Sequence, residues 1–210
     1  MTRIAWRLSL TSVLAFFVGF AMWATLAAGA HGASDWGGEW SADTKFYIGN
    51  SGGLGQSNLY SVTVFGAAQW NAASGSWMDI SWGGYTSSGP WYSGCSVPSA
   101  AIYVSGGVPA HFYATEYSCG GITRSSIVLN TARSWYFGSG TPLMSQADGR
   151  STASHELGHG LGYTGHWEDK DGDVECSTDI RETMCSSWGL GTIYMRDLGA
   201  HDLHTFANEY

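Results

Sequence analysis

Basic residues are scarce in this sequence. Nine Lys and Arg face 17 Asp and Glu, a formal net charge of −8 over 210 residues. Binding to a phosphate backbone or an anionic bilayer relies on clustered positive charge, so this balance speaks against both as partners. Cysteine is sparse too, with four in all and none before Cys95. Space is also lacking: little chain separates the apolar N-terminal run from the first strand-like segment at Thr44, and no folded domain fits between them. The length suggests one domain, or one domain in two lobes.

The chain opens on a stretch that reads as an export signal. Arg3 and Arg7 precede a mostly apolar stretch from Leu8 to Leu26, and Ala28-Gly29-Ala30 is a small-x-small cleavage site. Residues 1–30 are therefore expected to be a signal peptide, cut before His31. The apolar run approaches the roughly 17–25 residues that span a bilayer, which makes a retained anchor the alternative. Its Ser, Thr and Gly content and the cleavage site favour removal. Loss of Arg3 and Arg7 would take the net charge from −8 to −10. Residues 31–210 are then expected to be secreted as one domain, by default a monomer, without stable membrane association. In an oxidising compartment four Cys read as disulfides, and proximity favours Cys95–Cys119 and Cys176–Cys185 among three possible pairings.

The stretch from Ser154 to His166 carries the chemistry. It contains His155-Glu156-Leu157-Gly158-His159. On a helix, positions i and i+4 share a face, so His155 and His159 aim two ring nitrogens at one point, as Zn²⁺ requires. Glu156 lies about 100° further round, beside a metal and not on it, where it would take a proton from the attacking water. Leu157 and Leu161 supply an opposite face for burial. Gly160, Gly162 and Gly165 allow the helix to stop and turn, and His166 follows as a third ligand. Three ligands leave one position open, the arrangement of a catalytic zinc site.

His155, Glu156, His159, Gly162 and His166, with Met184 in Glu182-Thr183-Met184-Cys185, resemble the metzincin clan of zinc endopeptidases, most nearly its matrixin-like and snapalysin-like secreted members. The resemblance implies an α+β fold. A twisted mixed sheet would back the active-site helix in an upper lobe, about 31–162, above a short lower lobe, about 163–210, ending in a helix. It also implies one catalytic Zn²⁺, Glu156 as general base, a tight turn at Met184 beneath the metal, and protein or peptide substrates paired with an edge strand. The family spacing puts its third ligand at position 165, which is Gly165 here; His166 comes one residue later. Either the turn holds an extra residue or the ligand lies elsewhere, with Asp169 and Asp171 nearest. With no pro-domain space and no Cys before Cys95 to block the zinc, no large pro-domain is expected to need removal.

Two alternatives remain. A gluzincin-type protease would use Glu175 or Glu182 as third ligand, though the Gly break, His166 and Met184 weigh against it. A zinc-containing exported binding module with a degenerate site could use some of the 11 Trp and 11 Tyr to stack on sugars. The acidic run from Asp169 to Glu175 suits Ca²⁺, yet Gly172 is misplaced for an EF-hand loop and position 180 is Ile180, so a solvated loop is the commoner outcome. His111, His201 and His204 form no second site by spacing. Tyr194 is a remote oxyanion donor and is read as packing or surface.

Composition predicts strands at Thr44–Ile48, Met78–Trp82 (closed by Gly83-Gly84), Ala101–Ser105 and Ile122–Asn130. It predicts a turn at 50–53, and a helix capped by Asn58 and running to Ala73 with Val62, Phe65 and Trp70 on its inner face. Residues 131–148 read as irregular, the active-site helix begins near 150–154, and Leu198–Tyr210 reads as a helix burying Leu203, Phe206 and Tyr210.

Overall fold

A computed structural model describes residues 39–73, 75–87, 101–107, 112–118, 121–163, 182–185 and 189–210. Residues 1–30, expected from sequence to be a signal peptide, lie outside the described residues. The elements run β1 (Thr44–Ile48), α1 (Gln56–Asn71), β2 (Ile80–Tyr85), β3 (Ala101–Gly107), β4 (Phe112–Ser118), β5 (Gly121–Asn130), β6 (Trp135–Tyr136), β7 (Ala147–Asp148), α2 (Gly149–Leu161) and α3 (Ala200–Glu209). No helix among them is long and apolar enough to cross a membrane.

Five strands form one sheet in the order β2-β1-β3-β5-β4. β1 runs parallel to β2 and β3, and β3 parallel to β5, while β4 returns antiparallel along β5 at the edge. Neighbouring parallel strands need a long crossover, and α1 supplies it between β1 and β2. One face of the sheet carries Phe46, Ile48, Ile102, Val104, Ile127 and Leu129 into the core, against Leu59 and Trp70 of α1 and Leu157 and Leu161 of α2. Each such side chain contributes about 1.5–3 kcal/mol through burial. The result is a mixed α/β architecture in which α2 packs on both α1 and the β4–β5 side of the sheet.

Several sequence expectations are corrected. α1 begins two residues before Asn58, with Gly55 at the cap position, and the Asn58 amide instead donates to Leu54 O at 2.8 Å. Phe65 is only half-buried; the inner face is Leu59, Val62, Thr63, Gly66, Ala67 and Trp70. β2 runs through Gly83-Gly84, where the strand was expected to have ended. A side chain at Gly83 would fall inside the Tyr47 ring, so the missing Cβ serves strand packing, next to a register shift at Phe46/Tyr47. The sequence reading passed over β4 altogether.

Candidate metal centre

α2 is held at both ends by distant side chains. At its start, Asp148 accepts from Ser151 N and Ser151 Oγ, each at 2.8 Å, answering one of the orphan amides of a first turn. Its carboxylate also meets Arg196 through Nε at 2.9 Å and Nη2 at 2.6 Å, a buried two-pronged pair. Arg196 in turn donates to Ser139 O at 2.6 Å and Gly140 O at 2.7 Å, tying the loop before the helix to the segment after it.

The last carbonyls of α2 would otherwise be buried without donors. Gly162, at φ +130°, turns the chain out, and Tyr163 N donates back to Gly158 O at 3.2 Å. Trp40 Nε1 donates to Gly160 O at 3.1 Å, and Tyr210 Oη to Leu161 O at 2.7 Å. Both ends of the described chain thus close the same helix terminus.

Between these ends stand His155 and His159, 1% and 5% exposed. His155 Nδ1 lies 2.7 Å from Thr183 O, and His159 Nδ1 lies 2.9 Å from Tyr163 O. A carbonyl only accepts, so each Nδ1 carries the hydrogen and each neutral ring keeps its lone pair on Nε2. The two Nε2 atoms face each other at 3.2 Å. Two lone pairs at that distance repel unless a cation sits between them. Two nitrogens each about 2.0–2.1 Å from Zn²⁺ at the tetrahedral angle stand about 3.3 Å apart, so the pair fits that ion. Carbonyls holding the far nitrogens are the outer support that metal-ligating His residues ordinarily have.

Glu156 is half-buried next along the helix, and desolvation pushes its carboxyl from 4.5 up to about 7. Met184 is buried beneath α2, and a Cβ at Gly158 would strike its sulfur. The turn around Met184 is clamped to α3 in both directions. Asp202 accepts from Thr183 N at 2.6 Å, Met184 N at 3.3 Å and Gly199 N at 3.0 Å. Glu182 accepts from His201 N at 3.4 Å and Asp202 N at 3.2 Å. The Glu182 carboxylate is therefore directed to the first turn of α3, which does not favour it as a third ligand.

His166, Asp169, Asp171, Glu175 and His111 lie outside the described residues, as do Cys95, Cys119 and Cys176. The acidic Ca²⁺ candidate run and the Cys95–Cys119 pairing fall there too, and of the Cys176–Cys185 pairing only the buried Cys185 is described. Among the described residues no group of three or more His, Cys, Asp and Glu could hold a metal. His204 is exposed, with Nε2 3.0 Å from the Asn208 amide, and His201 Nδ1 lies 3.2 Å from Glu182. Tyr194 is 46% exposed. Sequence reasoning missed Thr183, Tyr163, Trp40 and Asp202 as supports. Only Asp202 had a local signal, as an acid three residues after the Gly199 cap position.

No family model matches the chain, and no curated protein matches it. Among solved structures it is similar to high choriolytic enzyme 1, a hatching enzyme zinc-protease from the medaka Oryzias latipes. That match has a TM-score of 0.40 and 10% identity, covering 85% of this chain and 96% of that one.

Proposed function

We propose that this chain is a secreted, zinc-dependent endopeptidase of metzincin type. The observation that carries the reading is the buried imidazole pair, with Nε2 atoms 3.2 Å apart and both Nδ1 atoms on backbone carbonyls. His155 and His159 would hold the ion, with His166 as the third ligand on the sequence reading. Zn²⁺ bound there would polarise the scissile carbonyl and bring the pKa of a water from 15.7 down to roughly 7.

The chain's own residues supply the rest. Glu156 takes the water's proton and returns it to the leaving amine; a carboxyl titrating near neutrality suits both transfers. Thr183 O and Tyr163 O fix the tautomer of each ring. β4 lies at the edge of the described sheet, on the side where α2 packs, and an extended peptide would pair along such an edge. That edge supports the reading of protein or peptide substrates.

The test is casein digestion by the purified chain, with metal content measured in parallel. Cleavage lost on chelation and restored by stoichiometric zinc is the expected result. Cleavage indifferent to chelation would remove the metal from the chemistry. Zinc bound at full occupancy without any cleavage would favour the exported binding module.

A further inference from the structure

A cleft of about 620 Å³ opens beside α2 and is lined by Phe65, Arg150, Ile193, Tyr194 and Leu198 among others. That volume falls in the roughly 300–1,000 Å³ range of small-ligand sites. Arg150 precedes His155 by five residues, which places it about 140° round the helix from the imidazole pair. The cleft is thus separate from the candidate metal centre.

Its charged residues are not equivalent. Arg196 is committed to both oxygens of Asp148 and to the carbonyls of Ser139 and Gly140. Glu182 is committed to the amides of His201 and Asp202 and to the His201 ring. Asp197 is exposed. Arg150 has no such commitment: it makes no hydrogen bond or ion pair among the described residues, and its Nε is buried without an acceptor. Its guanidinium lies 4.7 Å over the Phe65 ring. A ring face orients the fork but offers no oxygen to its N–H groups. A partly buried cation with a donor left over is what an anionic ligand would complete.

The remaining walls say what else that ligand carries. Ile193 and Tyr194 are 37% and 46% exposed at the mouth, and Leu190 and Met144 add 44% and 83% exposed neighbours beyond it. The turns bearing them adjoin, since Gly191 packs on Met144 and its amide donates to Gln146 O at 2.9 Å. An apolar strip therefore leads into a cleft in which Arg150 is the partly buried charge left without a partner, while the other uncommitted charge, Asp197, is exposed.

We propose that this cleft binds a carboxylate attached to an apolar body, with Arg150 as the partner of the anion. Guanidinium and carboxylate match as two parallel N–H···O bonds, while Phe65, Ile193 and Leu198 take the apolar part. Two sources share this chemistry: the C-terminal residue of a peptide and a fatty acid.

Calorimetric titration of the full chain, in chelator so that no metal competes for the anion, would use N-acetyl-leucine, N-acetyl-leucinamide, hexanoate and inorganic phosphate. Saturable binding of N-acetyl-leucine or hexanoate is expected, the tighter of the two identifying the source. The amide should bind at least about tenfold more weakly, the scale of one charge-assisted hydrogen bond. Arg150→Gln should weaken carboxylate binding by a similar factor with unchanged folding, and Arg150→Lys should restore part of it. Ile193→Glu, at an exposed position, should repel the same ligands. Equal binding of acid and amide, an Arg150→Gln variant that binds as wild type, phosphate binding as tightly as the carboxylates, or no binding of either carboxylate would overturn the proposal.

Discussion

The carboxylate of Asp202 sits 2.6 Å from the backbone nitrogen of Thr183, whose carbonyl oxygen in turn lies 2.7 Å from His155 Nδ1. An acid in the first turn of α3 thus reaches the His155 ring through one residue of backbone. Asp202→Ala would leave three amides without their acceptor, two of them buried. The expected cost is about 2–3 kcal/mol in urea unfolding. Zinc affinity should fall about 10–100-fold, because the support of His155 loosens. A variant that unfolds more easily but binds zinc as before would break this link.

Asp148 and Arg196 are buried together, so removing one strands the other. Arg196→Ala is expected to destabilise by about 3–5 kcal/mol. Replacing both by apolar residues of similar volume should cost much less. Denaturation of the two single variants and the double variant measures this, and additive losses would contradict the pairing.

Gly158 faces Met184 and Trp70 with no room for a side chain. A Cβ there would meet Trp70 Cζ2 at 2.8 Å and the Met184 sulfur at closer range. Gly158→Ala should destabilise by about 1–3 kcal/mol through overpacking. Combined with Met184→Ala it should recover part of that loss, read from a double-mutant cycle.

Glu156→Gln is expected to keep zinc and lose turnover by about 10²–10⁴-fold, the range of general acid–base catalysis. The metal-free protein offers a separate reading. The folded carboxyl titrates at about 7 against an ordinary 4.5, because burial disfavours its charge. Its stabilising contribution is full below about 4.5 and is lost as pH rises to about 7. Metal-free wild type should therefore weaken relative to Glu156→Gln across that window. Parallel melting curves from pH 4 to pH 8 would show the wrong basis for the shift.

Much of the helix–strand pattern was legible because it is local. The composition of Thr44–Ile48 and Gly121–Asn130 marks strands, and the apolar spacing of Leu203, Phe206 and Tyr210 marks α3. Asn58 was misread as a cap because an Asn side chain serves equally well by reaching back to Leu54 O. Gly83 was misread as the close of its strand because the Tyr47 ring that needs its empty space lies on another strand.

The sequence by itself determined that two imidazoles and a carboxylate share one helix. Four residues is one turn, and no long-range contact is needed to bring His155 and His159 to the same face. Tertiary structure decided which nitrogen each ring presents. The oxygens that hold the Nδ1 atoms come from Thr183 and Tyr163, and the groups that close the helix terminus come from Trp40 and Tyr210. Those partners lie up to 120 residues away. Nothing in the local spacing distinguishes one tautomer from the other; the protein around the helix does.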